Sequence, residues 1–390
     1  MPGKEACAKK RGNNLIRTSR LVVIVLVLIL AAVSVTYLIL WPKEMPLHEE
    51  NAITVTDALN RTVQIDLPIN KVIITGKAAW PIVSLAYMFP SAKNRIYSLG
   101  QMIATTSLFR IIDPDIDSKV VAGLEMDIPN IEEIAAQNPD VVILKSYMKS
   151  NLGDPLESIG IKVVYVDLEN LDTYLRDIKV LGKIFGDEAK AEEIANYYQE
   201  KHEFISSKTR SIENEDRPKV LLLYYDTKGG TISFNVPGAR WLQTSMIEVA
   251  GGYPLSKELS GTGWNTVSFE QIARWNPDMI FVVTYSGDPS PSDIKHKLLD
   301  DPLWKSINAL AEGKVYAFPH DCDNLLALGS WDSPCSRWIL GIMWTAMKIH
   351  PSLFSDVNLA EEAKGFYMKM YCLNEDEAIA VINEITGDLK

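Results

Sequence analysis

The chain has 390 residues, 47% hydrophobic and 23% charged, the composition of an ordinary globular protein long enough for two domains. Its net charge is −11, but residues 1–20 hold six basic side chains against Glu5, so the remainder carries −16. So acidic a body excludes nucleic acid, whose phosphates need a basic face. The four cysteines (Cys7, Cys322, Cys335 and Cys372) lack metal-ligand spacing, which excludes a structural zinc site and a disulfide scaffold. One disulfide among the last three and free buried thiols both fit the pattern.

Leu21–Leu40 is an uncharged run of 20 residues. As a helix it measures about 30 Å, the thickness of a bilayer's hydrocarbon core. The basic tail at 1–20 then stays in the cytoplasm and the body lies outside, with Trp41 at the far interface. A cleaved signal peptide has a shorter apolar core of about 7–15 residues and a small-residue site, which Tyr37-Leu-Ile-Leu-Trp-Pro lacks. The expectation is an uncleaved single-pass anchor at 21–40, followed by a stalk at 41–50.

Residues 53–66 alternate around a Leu-Asn-Arg turn and predict a β-hairpin. Strands are expected at Lys71–Thr75, Asn94–Leu99, Val141–Leu144 and Lys162–Val166. Helical stretches separate them at 79–88, 103–112, 131–137 and 154–159. This alternation predicts parallel βαβ units. Leu171–Arg210 is helical in pattern and divided by Gly182 and Gly186. Its second part, with Asp187 as N-cap, predicts a helix of about 36 Å at 1.5 Å per residue. The pattern resumes with strands at Lys219–Tyr225, Met279–Thr284 and Gly313–Phe318, and helices at 241–249, 336–349 and 359–370. Trp338 and Trp344 are expected in the core. The fold class is therefore α/β, with parallel βαβ units at 51–169 and 217–390 joined through bridging helices at 170–216 and preceded by one transmembrane helix.

Asn130–Tyr147 (NIEEIAAQNPDVVILKSY) and Ser268–Tyr285 (SFEQIARWNPDMIFVVTY) are identical at seven of 18 positions without a gap. Each copy reads as a short helix, an Asn-Pro-Asp turn and a buried strand. Two copies in two halves imply two similar lobes around a cleft.

Together with ITVTDALNRTVQI, KVIITG, GKVYAFP at 313–319 and SPCSRWILGIMWTAMKIHP at 333–351, the repeats give residues 50–390 a resemblance. The chain resembles the helical-backbone solute-binding proteins of ABC importers, which take iron chelates, haem, cobalamin or related metal species. The resemblance implies two Rossmann-like lobes on one long rigid helix. It implies no intrinsic cofactor, a metal complex as cargo, an ABC permease dimer with its ATPase subunits as partner, and a monomer. It also implies that Glu132 and Glu270, one per lobe, dock on the permease; the alternative reading is that each favours its own helix N-terminus.

Ligands of such sheets bind outside the carboxyl ends of the strands. From the first lobe these loops hold Lys77, Trp80, Gln101, Met102, Lys145 and Tyr147. From the second they hold Tyr225, Lys228, Arg240, Trp264, Asn265, Tyr285, His320, Asp321, Trp331 and Asp332. Arg240 is the strongest single candidate, because a guanidinium suits planar anions. The aromatics suit a macrocycle or aryl chelator, although Trp264 and Trp331 fit loop packing equally well. His320 and Asp321 are possible metal ligands or a surface pair. An iron chelate is the leading cargo, with haem, a corrinoid, molybdate or tungstate as alternatives. The chain carries no G-x-S-x-G, P-loop or H-E-x-x-H motif and reads as a non-enzyme. A chelatase-like enzyme and an anchored sensor ectodomain are the alternatives, the latter disfavoured by a 20-residue tail.

Overall fold

The computed structural model describes residues 51–389 apart from 122, 125–129, 229–230, 261–262, 286–287 and 321–328, together with Ile29 and Ala31. The anchor expected at 21–40 thus lies almost wholly outside the described residues, as do Asp321 and Cys322. No described helix is long and apolar enough to cross a membrane.

The chain enters the body through a hairpin of β1 (Ala52–Thr56) and β2 (Thr62–Asp66). Asp57 builds its turn: the carboxylate accepts from the Leu59 and Arg61 main-chain N–H groups at 3.0 and 3.1 Å. The first lobe is a parallel sheet of β3 (Val72–Ile74), β4 (Ile96–Ser98), β5 (Val141–Lys145) and β6 (Val163–Val166), ordered β4-β3-β5-β6. Every residue of β5 and β6 is buried, as expected of parallel strands covered on both faces. The expected helix at 103–112 is two short ones, Gln101–Ala104 and Ser107–Ile112.

Helix Leu171–Phe185 ends at Gly186, whose φ of 66° gives a left-handed C-cap. Asp187 then caps Glu188–Thr209 by accepting from the Lys190 N–H at 2.9 Å. That helix has 22 residues, about 33 Å at 1.5 Å per residue. The two pack closely where a Cβ on Gly182 would lie 2.4 Å from the Ala191 Cβ.

The second lobe contains β7 (Lys219–Lys228), β8 (Thr231–Val236), β9 (Tyr253–Pro254), β10 (Asn265–Val267), β11 (Met279–Val283) and β12 (Val315–Ala317). Its order is β10-β8-β7-β11-β12, with β9 beside β7. β9, β7, β11 and β12 are parallel. β7 outruns the expected Tyr225 and pairs antiparallel with β8, which pairs antiparallel with β10. The second sheet is therefore mixed, not purely parallel.

Both repeats fold alike. Helices Ile131–Ala136 and Phe269–Trp275 stop just before Asn138 and Asn276, whose φ values of 49° and 41° are left-handed. Proline follows and forbids further helix. Asp140 then grips the start of β3: its Oδ2 accepts from the Asn70 and Lys71 N–H groups at 2.7 and 2.8 Å. Asp278 grips β7 in the same place but through one main-chain bond, accepting from the Lys219 N–H at 2.8 Å because Pro218 has no N–H, and it accepts from Asn308 Nδ2 at 2.9 Å as well. The turn thus joins each strand to the first strand of its own sheet.

One hydrophobic cluster runs through both lobes and the bridge. Trp338 packs in it against Tyr174 and Tyr198 (ring centroids 5.5 and 5.3 Å), and Trp344 against Phe281 and Phe318 (5.1 and 4.5 Å). A buried polar seam crosses it between the lobes. Ser84 meets Ser336 at 2.6 Å and accepts from Arg337 Nη1 at 2.7 Å, while the Tyr371 hydroxyl donates to the Ser84 carbonyl at 2.9 Å. Cys335 is buried, its thiol donating to the Ser330 carbonyl at 3.4 Å, and Cys372 is exposed. A last helix, Glu375–Asn383, lies beyond the expected closing pair.

Candidate functional site

The carboxyl ends of the strands open on a cleft of about 480 Å³ between the lobes. The loop after β3 supplies Lys77, Ala78 and Trp80; β5 ends in Lys145 and is followed by Tyr147; Glu169 follows β6. The second lobe supplies Trp241, Gln243, Trp264, Tyr285, Ser333 and Pro334. The size is that of a small organic ligand, and apolar side chains dominate the walls.

The first-lobe wall carries the charge. Lys145 is only 2% exposed, and its ammonium donates to Glu169 Oε1 at 2.6 Å and to the Asp167 carbonyl. Burying that cation requires such partners. The Tyr147 hydroxyl donates to the Lys77 carbonyl at 3.1 Å, holding its exposed ring across the β3 loop. In that loop Ala78 has a φ of 54°, a left-handed strain of about 1 kcal/mol stored beside the cleft.

The second-lobe wall is aromatic. Trp264 meets Trp241 edge-on at 5.3 Å and Tyr285 at 5.7 Å, and Tyr224 closes the group at 5.1 Å from Trp264 and 4.9 Å from Tyr285. Burial, then the Asp226 charge, pushes the Tyr224 hydroxyl up to about 12. Beneath this wall lies Asp332, wholly buried, accepting from the Tyr285 hydroxyl, the Ser330 hydroxyl and Gln243 Nε2, the last at 3.4 Å. Burial raises the pKa of both Asp332 and Tyr285; the three donors pull Asp332 back, whereas the Asp332 charge pushes Tyr285 higher.

Of the expected ligand residues, Lys77, Trp80, Lys145, Tyr147, Trp264 and Tyr285 line the cleft. The other six are not among the lining residues. Tyr225 points away, into the core beneath the second sheet, against Phe234 at 5.8 Å; Tyr224 is the strand neighbour on the cleft side. A one-residue step along a strand reverses the face. Arg240 is exposed in the turn before helix Leu242–Val249, and its neighbour Trp241 takes the wall position. Gln101 is exposed and does not line the cleft, and Trp331 is core. His320 pairs with Thr386 through the main chain in both directions and through its ring, so it secures the C-terminal segment. Asp332 lies under the wall. Among the described residues no three His, Cys, Asp or Glu side chains gather as a metal site.

Glu132 and Glu270 are both exposed in the first turn of the repeat helices. Local hydrogen bonds at the helix start, first from its own main chain and then from Ser268, hold Glu270 below the usual carboxylate range.

A periodic strand-end cleft between two α/β lobes limits the candidates, and comparison decides among them. The model of the periplasmic binding protein family matches residues 104–322, more than half of the sequence. The chain belongs to the periplasmic binding protein family. Its relatives include the molybdate-binding protein MolA of Haemophilus influenzae, 23% identical over 81% of this chain and 90% of that one. An iron-uptake system-binding protein of Bacillus subtilis is 23% identical over 66% and 77% of the two chains. A periplasmic solute binding protein from Veillonella parvula matches with a TM-score of 0.67 at 26% identity, over 85% of this chain and 99% of that one. Molybdate-bound MolA shares the fold with a TM-score of 0.67 at 21% identity, over 83% and 98%. This periplasmic binding protein is thus a solute-binding protein and not an enzyme.

Seven wall residues of this binding protein lie outside the sequence-based set, among them Glu169, Trp241, Gln243 and Ser333. Glu169 follows a parallel strand, and the rule that selects Lys145 selects it too. Trp241 and Gln243 sit at a helix start, where apolar spacing points to packing.

Proposed function

We propose that this protein is the solute-binding subunit of an ABC importer and that its cleft captures a metal chelate with an organic shell. The observation that carries this reading is the cleft itself: about 480 Å³, walled by Trp80, Tyr147, Trp241, Trp264 and Tyr285, with Lys77 and Lys145 at one side. Aromatic walls bury the organic shell of a chelate, and the exposed Lys77 meets its anionic oxygens. Relatives named for petrobactin, ferric citrate and cobalamin are consistent with it. The metal arrives as cargo and needs no protein metal cluster. A second reading, a molybdate-type oxyanion, draws on the similarity to MolA over most of the chain.

The body works outside the cytoplasm, and residues 21–40 hold it to the membrane. Glu132 and Glu270 present one exposed carboxylate per lobe to a two-fold permease.

A thermal-shift panel of ferric hydroxamates, ferric catecholates, ferric citrate, haemin, cyanocobalamin, molybdate and tungstate, with metal analysis of the purified protein, tests the cargo. A ferric chelate raises Tm by several degrees at saturating concentration; stabilisation by molybdate alone refutes the chelate. Glu132→Arg with Glu270→Arg abolishes uptake in cells while cargo affinity holds; normal uptake refutes the docking role.

A further inference from the structure

The two repeats differ at one buried position beside the cleft. Lys145 ends β5, and the gapless match of the copies sets it against Val283, which ends β11. Both side chains are buried, at 2% and 0% exposure. The framework is complete with a valine there, so packing does not account for a lysine. A buried ammonium is also destabilising unless it is matched.

The match is built into the loop after β6. Lys145 donates to the Asp167 carbonyl and to Glu169 Oε1, the latter at 2.6 Å. Of the ion pair, only the carboxylate reaches outward: the Glu169 side chain is 44% exposed and that of Lys145 2%. The loop is tied down. Its four consecutive main-chain N–H groups from Asp167 to Asn170 are bound by helix Leu171–Phe185, the first two by Asp177 at 2.7 and 2.9 Å, the others by Thr173 Oγ1 at 3.1 and 3.0 Å. Leu168 is held at a φ of 56°, a left-handed conformation that leucine adopts only where its surroundings impose it. Cargo entering the cleft therefore meets a fixed carboxylate in front of the lysine. The lining residues of the second-lobe wall are uncharged, so among the described lining residues discrimination by charge falls to Lys77, Lys145 and Glu169. A fixed carboxylate attracts a cation and repels an anion, more strongly as water is excluded.

We infer that Glu169 is a specificity-determining residue: it screens Lys145 and presents its own carboxylate to the cargo, so that the cleft favours a chelate whose organic shell is cationic or neutral over one whose shell is anionic. The inference rests on the cleft being the site of a chelate cargo, and it adds the charge of that cargo.

The test uses three probes that share one ferric trihydroxamate centre and differ only in the tail: ferrioxamine B, which carries an ammonium; its N-acetyl derivative, which is neutral; and its N-succinyl derivative, which carries a carboxylate. Each is titrated at low ionic strength into the full-length protein in detergent. The wild type binds the ammonium form at least about tenfold more tightly than the carboxylate form, the scale of one charge interaction across a partly dry cleft. Glu169→Gln keeps an acceptor for Lys145 and loses the charge, and that affinity ratio falls at least about tenfold. Lys145→Met brings the position close to the valine of the other lobe and leaves Glu169 unmatched, and the ratio rises. A merely structural ion pair weakens all three probes together in both variants. That result, an unchanged ratio in Glu169→Gln, or a wild type that prefers the carboxylate form overturns the inference and leaves the cargo reading intact. A wild type that binds molybdate and none of the three refutes the cargo reading and the inference with it.

Discussion

The two copies of the repeat run the same course through helix, Asn-Pro-Asp turn and strand, and part company at their last residue. Up to that point the same interactions recur: a left-handed Asn, a helix-stopping Pro, an Asp gripping the neighbouring strand. At the end, Tyr147 is 53% exposed and rests on the Lys77 carbonyl, whereas Tyr285 sits in an aromatic wall and gives its hydrogen to the buried Asp332. The framework of a lobe is set by short-range chemistry that duplicates faithfully. The face that meets cargo is set by what each lobe packs beneath it, and there the lobes differ: charge on one side, aromatic rings over a carboxylate on the other.

The contrast is largest where a carboxylate is buried. On the first-lobe side Asp177, in bridging helix Leu171–Phe185, holds the chain leaving β6, accepting from the Asp167 and Leu168 N–H groups at 2.7 and 2.9 Å. Burial outweighs Arg176 and these donors and lifts its pKa from 3.8 to about 6. The folded state then binds the proton more tightly than the unfolded chain, so stability falls as pH rises from about 4 to about 6 and levels beyond. The span is about 3 kcal/mol at 1.36 kcal/mol per pKa unit. Denaturant unfolding across pH 4–7 shows this step in the wild type and not in Asp177→Asn; parallel curves contradict it.

The symmetric half of the comparison makes a smaller, paired prediction. Asp140→Ala removes a charged acceptor from the Asn70 and Lys71 N–H groups, Asp278→Ala one from the Lys219 N–H and the Asn308 amide, and each costs about 2 kcal/mol. Equal losses in unfolding midpoint confirm that the turns are equivalent. A loss in only one lobe breaks the equivalence.

These differences also explain what could be read without coordinates. The hairpin, the parallel strands, the bridge capped by Asp187 and the repeat turns are local, each marked by apolar runs, Gly or a capping residue. The antiparallel return of β7 into β8 is local too, with Lys228 paired to Thr231. The cleft is legible only in part. Strand ends identify Lys77, Lys145, Tyr147 and Tyr285, because parallel sheets place their loops there. Whether Tyr224 or Tyr225 faces the cleft depends on a face the alternation leaves open in a strand buried on both sides. Arg240 beside Trp241 poses the same problem in a turn. Asp332 owes its role to Tyr285, 47 residues away in sequence, and no local pattern links them.

The central claim is that one cargo molecule is held between both unlike walls. Calorimetric titration of ferrioxamine B into the wild type, Trp80→Ala and Trp264→Ala tests it most directly, since each variant strips one wall of an aromatic anchor. The account predicts a single site per chain and at least about tenfold weaker binding in each variant, the usual scale for a buried Trp contact. Wild-type affinity in both variants, or weakening in only one, contradicts it.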